Sequence, residues 1–537
     1  MRKGSSMSAC RRYIALGLVA VLFASVLTMG SVPATAASES FSATQHTTSA
    51  HDKKYPQLQV VGDKIYYVWQ EFDGSYYQIW TATMNTDGTG WSDVQRTTST
   101  YGGKFYPQLQ VVGGTIHYVW EEYDGSNYQI WTASMNTDGT GWSATQRTTS
   151  LYYKHNPQLQ VVGDNVYYAW SEYDGSRYQI WTAVLNLLDN TFTATKRTDS
   201  PYDKSEPQLQ VVGDIIHYVW REYDGSYHQI WTATMNTNGT GWSAVQRTTS
   251  FYGKYHPEFQ VVGDTIHYVW QEFDGSYYQI WTAALSLLDN TFTAAKRTDT
   301  PYYFKHTPRL CVVGDSIYYV WRENDDAYGQ IWTATMNTDG TGWTATKRTT
   351  STYDKCEPQL QVVGGQIHYV WQESDGTYYQ IWTAVMSVPF TLELRAGWNM
   401  VSFPVLPDNT NPHSIFPGYY AMYRWDAASQ SYVSCTDDPI APGVGYWVNV
   451  LAGENVVVSG TPVDNLTLSL SKGWNLIGSP LGGASIVDPD DTPDGSVLSY
   501  AYTWTGSGYV STQQLVAGKG YWVNALNDCV LRLPGGG

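Results

Sequence analysis

The sequence predicts an all-β fold, and three observations carry that expectation. Aromatic residues make up 15% of the 537-residue chain, with 44 Tyr and 24 Trp, as in proteins built from many short strands with aromatic faces. Runs of β-branched and aromatic residues are punctuated by turn pairs such as Gly62-Asp63, Asp73-Gly74 and Asp87-Gly88, where Gly and Asp tolerate the positive φ of tight reversals. One tryptophan, in the string Y-V-W, returns at Trp69, Trp120, Trp170, Trp220, Trp270, Trp321 and Trp371, with gaps of 51, 50, 50, 50, 51 and 50; the third copy reads Y-A-W.

Each copy divides into four strand-like pieces, which in the first are 56–61, 64–71, 77–84 and 91–97. Four antiparallel strands per ~50 residues is the period of a β-propeller blade. A lone blade cannot bury both faces, so the copies must stack, and a twisted stack returns on itself. The ends of the chain predict how the ring shuts. The seventh copy stops after its third strand at Met386-Ser387, while the segment from Phe41 to Ser49, F-S-A-T-Q-H-T-T-S, matches Trp142 to Ser150 at seven of nine positions. The N-terminal segment therefore supplies the outer strand of the last blade and hides its open edge. The expected fold is a seven-bladed β-propeller over 37–388, closed by the N-terminal strand, followed by a smaller duplicated β-domain over 389–537.

The residue after the first proline of each copy offers a check on this register. It is Gln at 57, 108, 158, 208 and 359, but Glu258 in the fifth copy and Arg309 in the sixth, so these two are expected to pair across neighbouring blades.

Residues 1–36 read as a secretory signal peptide: Arg2, Lys3, Arg11 and Arg12 precede an apolar run from Ile14 to Met29, and Ala34-Thr35-Ala36 offers the cleavage site. The run is shorter than the ~20 apolar residues of a spanning helix, and no later segment is apolar enough, so the mature chain has no membrane span. The expected location is extracellular, secreted or at the cell surface. Four cysteines remain after the leader, Cys311, Cys356, Cys435 and Cys529, none with metal-ligand spacing. A bridge between Cys435 and Cys529 is one reading, and incidental thiols are the other. The net charge of −17 excludes a nucleic-acid partner, which needs surplus Lys and Arg.

The strings N-P-Q-L-Q-V-V-G-D, V-Y-Y-A-W, Q-I-W-T-A and N-T-D-G-T-G-W-S resemble the Asp-box (BNR) repeats of sialidase-like propellers, over about 350 residues. The resemblance implies that Asp87, Asp138 and Asp339 stabilise blade turns, although the third and fifth copies carry Leu-Leu-Asp-Asn-Thr-Phe there instead. It carries no active site with it. Family sialidases use an arginine triad, a Tyr-Glu nucleophile pair and an acid/base Asp, each unique in the chain, and usually have six blades. Here Arg96, Arg147, Arg197, Arg247, Arg297 and Arg348 recur at one blade position, and nothing in the sequence marks three of the non-repeated Arg177, Arg221, Arg309 and Arg322 as convergent.

Every copy also carries a Glu and an Asp two apart, as in Glu71 and Asp73, Glu122 and Asp124, through Glu373 and Asp375. Their repetition argues for turn formation and surface charge, with weak calcium binding as the alternative and no other cofactor. His117, His217, His267 and His368 stand where sister copies have Tyr66, Tyr167 and Tyr318, so they are structural. The loops between copies are the variable element. They carry Tyr101, Tyr152, Tyr202, Tyr252, Tyr303 and Tyr353, with Lys53, Lys104, Lys154, Lys204, Lys254, Lys305 and Lys355 three residues before each proline. In a propeller they share a face with the Glu/Asp turns, and a face of tyrosines and lysines suits an extracellular glycan or protein ligand.

Near Thr391 the pattern changes: L-E-L-R-A-G-W-N-M at 392–400 returns as L-S-L-S-K-G-W-N-L at 468–476, and P-G-V-G-Y-W-V-N at 442–449 as A-G-K-G-Y-W-V-N at 517–524. Two halves, about 391–463 and 464–537, are expected to form a pseudo-symmetric β-domain. These strings look like the β-modules at the C-termini of many secreted and surface proteins of bacteria and archaea, which implies an accessory role in attachment or display. The functional expectation is a non-enzymatic binding or scaffold protein, with a sialidase-like glycoside hydrolase and a purely structural surface protein as alternatives.

Overall fold

The computed structural model describes residues 41–534 apart from 100–101, 301–302, 314–315, 326, 364, 388–389, 436 and 464. The leader expected over 1–36 and the domain boundary expected at 388–389 lie outside the described residues. Among those described, the seven copies form seven four-stranded antiparallel sheets. In the first, strand A is Lys53–Val61, B is Lys64–Phe72, C is Tyr77–Asn85 and D is Ser92–Gln95, adjacent in that order. The A strands touch one another in cyclic order, the last against the first, so the sheets are propeller blades around a channel lined by strands A.

Strand A begins at Lys53, earlier than the sequence suggests, because a β-bulge carries it past Pro56. Proline has no N–H for the ladder, and the register shifts between Lys54 and Gln57 with Tyr55 at φ +55°. The same left-handed residue precedes the proline in every blade: Tyr106, Asn156, Glu206, His256, Thr307 and Glu357. Its backbone N–H turns to the neighbouring blade, as when Tyr55 donates to Gln372 and Tyr106 to Gln70. Further down strand A, a glutamine of one blade accepts the backbone N–H of the next. Gln361 accepts from Val60 at 2.6 Å, Gln210 from Val261 at 2.6 Å and Gln260 from Val312 at 2.7 Å. Cys311 takes the seventh place in this ring, beside the Val362 N–H.

The N-terminal strand closes the ring. Ser42–Gln45 pairs antiparallel with strand C of the seventh blade, Ser42 opposite Val385 and Gln45 opposite Trp382. Phe41 stacks 6.0 Å from Trp371, the place that a tryptophan such as Trp91 takes in the first blade. Thr47 is buried and donates to Gln380. His46 replaces the repeated arginine: its Nε2 lies 2.7 Å from the Thr383 hydroxyl, as Arg96 Nε reaches Thr81, and its ring stacks 4.3 Å from Trp91.

One buried network recurs in every blade. Trp69 is fully buried and donates its indole N–H to Glu71 Oε2; Glu71 Oε1 accepts from Ser49 and lies 3.5 Å from Lys53 Nζ. The lysine donates on to the Ser49 hydroxyl and the His51 carbonyl. The seven ion pairs span 3.3–3.6 Å. The glutamates, expected to be surface charge, are therefore interior partners, because a tryptophan N–H buried beside them needs an acceptor. Their Asp neighbours do form turns: Asp73 Oδ1 accepts the N–H groups of Ser75 and Tyr76. With Glu71 turned inward and Asp73 holding its own turn, the two carboxylates are committed to separate partners. His117, His217, His267 and His368 are buried like Tyr66, Tyr167 and Tyr318, the aromatic positions they alternate with.

In the C-terminal module each half builds a four-stranded sheet. One joins Gly397–Ser402, Gly445–Val450, Tyr419–Asp426 and Ser431–Ser434; the other joins Gly473–Ile477, Tyr521–Ala525, Ala501–Trp504 and Tyr509–Thr512. The halves interlock through Ser402 N–H to Gly518 O and Gly478 N–H to Gly443 O. Cys435 and Cys529 are unbridged and lie in separate cores, one per half, so the bridge considered from sequence is absent. Among the described residues no helix is long and apolar enough to cross a membrane.

Two outcomes are expected. Truncating one lysine, as in Lys204→Met, leaves Glu222 buried without its cation and costs about 3–5 kcal/mol, read as a lowered denaturation midpoint; adding Glu222→Gln recovers part of it. The second concerns acid. Burial lowers His46 to about 4, whereas the unfolded side chain titrates near 6.5. Its stabilising contribution is thus complete above pH 6.5 and declines as pH falls from 6.5 toward 4. Protection of residues 42–47 against hydrogen exchange, corrected for the pH dependence of the intrinsic rate, should fall over that window more than in the other D strands, and His46→Phe should remove the difference.

Candidate functional site

Because the copies are nearly identical, positions at which they differ stand out, and the fold gathers most of them at one mouth of the channel. The residue after the lysine reads Lys54, Phe105, His155, Ser205, Tyr255, His306 and Cys356; the bulge residue that follows is equally varied. The residue before the network glutamate reads Gln70, Glu121, Ser171, Arg221, Gln271, Arg322 and Gln372. The opposite end of the channel is repetitive, a cavity of about 340 Å³ lined by copies of Leu58 and Gln59.

An aromatic belt surrounds the divergent mouth, alternating between the first residue of strand C and the second of strand A in the next blade. Tyr77, Phe105, Tyr128, His155 and Tyr178 follow one another at centroid distances of 5.4–5.7 Å. His228, Tyr255, Tyr278 and His306 continue it at 5.3–5.8 Å. Ser205 separates these two runs, and Gly329 and Cys356 interrupt the belt beyond His306; Lys54 bridges Tyr77 and Tyr379, its ammonium 5.6 Å from the first ring and 5.9 Å from the second. Between the first two blades the belt opens into a pocket of about 380 Å³ walled by Phe72, Tyr76, Tyr77, Phe105, Tyr123 and Tyr128. Gly102 and Gly103 make this opening possible: a Cβ on Gly102 would collide with the Tyr123 carbonyl, and one on Gly103 would press on the Phe105 ring.

Inside the belt sits a set of charges, drawn from the fourth, fifth and sixth blades, whose combination does not recur around the ring. Glu206 Oε2 lies 3.1 Å from Arg221 Nε and accepts the His256 backbone N–H at 2.7 Å, while Oε1 is 3.4 Å from His256 Nδ1. Glu258 Oε1 pairs with Arg309 Nη1 at 2.7 Å, the pairing expected from sequence, and Arg309 Nε donates to Gln359. The two carboxyls are displaced in opposite directions. Burial raises Glu206, but the His256 and Arg221 charges and the His256 N–H outweigh it and hold the group below its ordinary value. Burial also raises Glu258, and the neighbouring Glu206 adds to the effect against the pull of Arg309. Arg309 is within electrostatic range of Glu206 as well.

The same edge continues through the next blades. Arg322 Nη2 lies 3.1 Å from Asp354 Oδ1, in space left where Gly329 replaces the repeated tyrosine; a Cβ there would collide with Arg322. His306, lowered to about 4 by burial and then by the charges of Arg322 and His256, lies between these groups. The Cys356 thiol is pushed up to about 11, by burial and by Asp354 and Glu357 against Arg322. Three of the four non-repeated arginines thus converge on the mouth, which their sequence spacing did not show. The signal was present in another form, as departures from the repeat at fixed blade positions. Arg177, the fourth, is exposed and pairs with the Pro201 carbonyl and with Asp203 at 3.8 Å.

The residues singled out from sequence fall in two groups. Tyr152, Tyr202, Tyr252 and Tyr353 are about 40% exposed on this face, each beside the glycine turn of its own blade, Gly175, Gly225, Gly275 and Gly376. Tyr303 is half-buried, and Tyr101 lies outside the described residues. The lysines are elsewhere: Lys104, Lys154, Lys204, Lys254, Lys305 and Lys355 are at most 1% exposed, beneath the surface in the networks described above. Their ammonium groups face a buried glutamate and loop carbonyls, including those of Tyr152 and Tyr202, so they build the loop and do not present charge at the face. Burial holds each below its ordinary value against the pull of its glutamate.

No protein-family model and no curated protein matches the chain. Among solved structures it is similar to an ulvan lyase from a polysaccharide lyase family, at 12% identity and TM-score 0.47, over 63% of this chain and 94% of that one. It is similar to the endosialidase of phage phi92 at 10% identity and TM-score 0.43, over 65% and 69%. The β-propeller domain of a protease from Pyrococcus furiosus aligns at 8% identity and TM-score 0.37, over 62% and 96%. These likenesses are loose, and the architecture stands on the chain's own sheets and their cyclic packing.

Proposed function

We propose that this chain is an extracellular binding protein that takes a carbohydrate ligand at the divergent mouth of its propeller. The single observation that carries the reading is the concentration of repeat-to-repeat differences there, within an otherwise uniform ring. Substitutions dictated by blade packing recur in every blade, whereas these do not. The chemistry of the place suits a sugar: aromatic faces meet the C–H faces of a pyranose, and the phenols, imidazoles and charged groups inside the belt bond its hydroxyls. The pocket between the first two blades, walled by Phe105 and Tyr128, is where the ligand seats. The tyrosines of the loops, Tyr152, Tyr202, Tyr252, Tyr303 and Tyr353, extend the contact surface outward. A leader over 1–36 fits this role, as does the acidic, soluble surface.

A second reading, a glycan-cleaving enzyme, is favoured by one specific observation. Glu206 and Glu258 are carboxyls in adjacent blades whose environments displace them in opposite senses, an arrangement that suits a base and an acid. One experiment separates the readings. The mature protein is applied to a glycan array and, in parallel, incubated with the array's best ligands and with a chromogenic sialoside. The binding reading expects retention of a defined glycan class, about tenfold or more weaker for Phe105→Ala or Tyr128→Ala, with no new reducing ends or released chromophore. Turnover abolished by Glu206→Gln or Glu258→Gln would replace it with the enzyme, and neither binding nor turnover would leave the structural role.

A further inference from the structure

The C-terminal module holds a second site, independent of the propeller mouth. Where its two halves meet, a pocket of about 560 Å³ is walled by Trp398, Tyr423, Tyr432 and Trp447 of the first half with Trp504 and Tyr509 of the second. Beside it a pocket of about 490 Å³ is walled by Trp474, Tyr502, Tyr509 and Trp522 of the second half with Trp425 and Tyr432 of the first. The duplication relates the sets residue by residue: Trp398 corresponds to Trp474, Tyr423 to Tyr502, Trp425 to Trp504, Tyr432 to Tyr509 and Trp447 to Trp522. Ring geometry follows the same symmetry. Trp398 lies 6.2 Å from Trp447 at 85°, and Trp474 lies 6.4 Å from Trp522 at 86°. Trp425 packs 5.0 Å from Tyr432 at 75°, and Trp504 lies 5.3 Å from Tyr509 at 67°.

We infer that these paired pockets bind a neutral oligosaccharide by stacking, each holding a sugar ring of one chain. Four features lead there. Trp398 and Trp474 are about 40% exposed and Tyr432 and Tyr509 about 50%, a concentration of open aromatic surface that a soluble protein keeps for a ligand. No charged side chain lines either pocket, which points away from an anion and offers a cation no carboxylate to offset its lost hydration. Tyr432 and Tyr509 belong to both pockets, so the two form a continuous trough with a repeated shape, matching a ligand built of repeated units. The walls are side chains standing on the sheet faces, and the inner strands beneath them are paired on both sides, so the floor of the trough offers no free main-chain ladder. An extended peptide needs main-chain partners, whereas a pyranose needs flat apolar walls with hydroxyl groups at the rim, which the four tyrosines provide.

The test uses the full mature chain and hexasaccharides of β-1,4-linked glucose, mannose, xylose and N-acetylglucosamine, followed by calorimetry and tryptophan fluorescence. At least one should bind with a fluorescence change. Trp398→Ala and Trp474→Ala should each weaken binding about tenfold or more, their combination should abolish it, and the Phe replacements should retain an intermediate affinity. The same series is repeated in a Phe105→Ala background, which removes the contribution of the propeller mouth, so failure of one site is distinguishable from failure of the other. Both tryptophans are exposed, and an unchanged denaturation midpoint verifies folding. The proposal is overturned if, in the Phe105→Ala background, none of the four sugars binds or binding survives the double substitution, or if a proline-rich peptide or a tetraalkylammonium ion binds in a Trp398-dependent way while the sugars do not.

Discussion

Seven times in this chain a lysine ammonium is buried against a glutamate that also accepts the N–H of a fully buried tryptophan. The tryptophan supplies the apolar mass between blades, but its indole N–H is stranded there without an acceptor. The glutamate answers that need and creates a buried charge, which the lysine balances, and the serine and loop carbonyls satisfy what remains of both. Each blade core is thereby tied to the loop that leads into it, and the loop's position fixes the rim of one face.

With the rim held in this way, the mouth of the channel can vary. The bulge at each pre-proline residue redirects strand A, and Glu206, His256 and Glu357 are among the residues that occupy it. The backbone N–H at this bulge looks to the neighbouring blade for an acceptor, and there too the copies differ: Gln70 serves Tyr106 and Gln271 serves Thr307, while Glu121 serves Asn156 and Glu206 serves His256. Left-handed backbone at non-glycine residues is unfavourable, and its sevenfold recurrence shows it to be part of blade construction. The side chains it carries are free of the repeat. This separation of a uniform frame from a divergent mouth is the physical basis of the functional proposal.

The C-terminal module uses aromatic residues differently. In the blades the indoles stack in rows with the strand B tryptophan wholly buried, while in the module they meet edge to face across a pseudo-twofold and leave Trp398 and Trp474 open. The chain thus carries two chemically distinct aromatic surfaces, one ringed around charges and one free of them, and each of the two proposals rests on one of them.

Much of the fold was legible in the residues themselves. The Trp spacing, the turn pairs and the match of 41–49 to 142–150 determined blades, their order and the closing strand, because strand periodicity and turn chemistry are local properties written once per copy. The Glu258–Arg309 contact followed from register alone. What the sequence could not decide was which polar groups face water. Lys154 and Tyr152 are two residues apart in one loop, yet one is buried and the other exposed, because the glutamate that draws the lysine inward comes from strand B, Glu172. In the same way Arg221 of the fourth blade and Arg309 and Arg322 of the sixth, scattered over a hundred residues, meet at one mouth only because the ring brings their blades together there. Burial and convergence are properties of chain segments distant in sequence, and tertiary packing alone sets them.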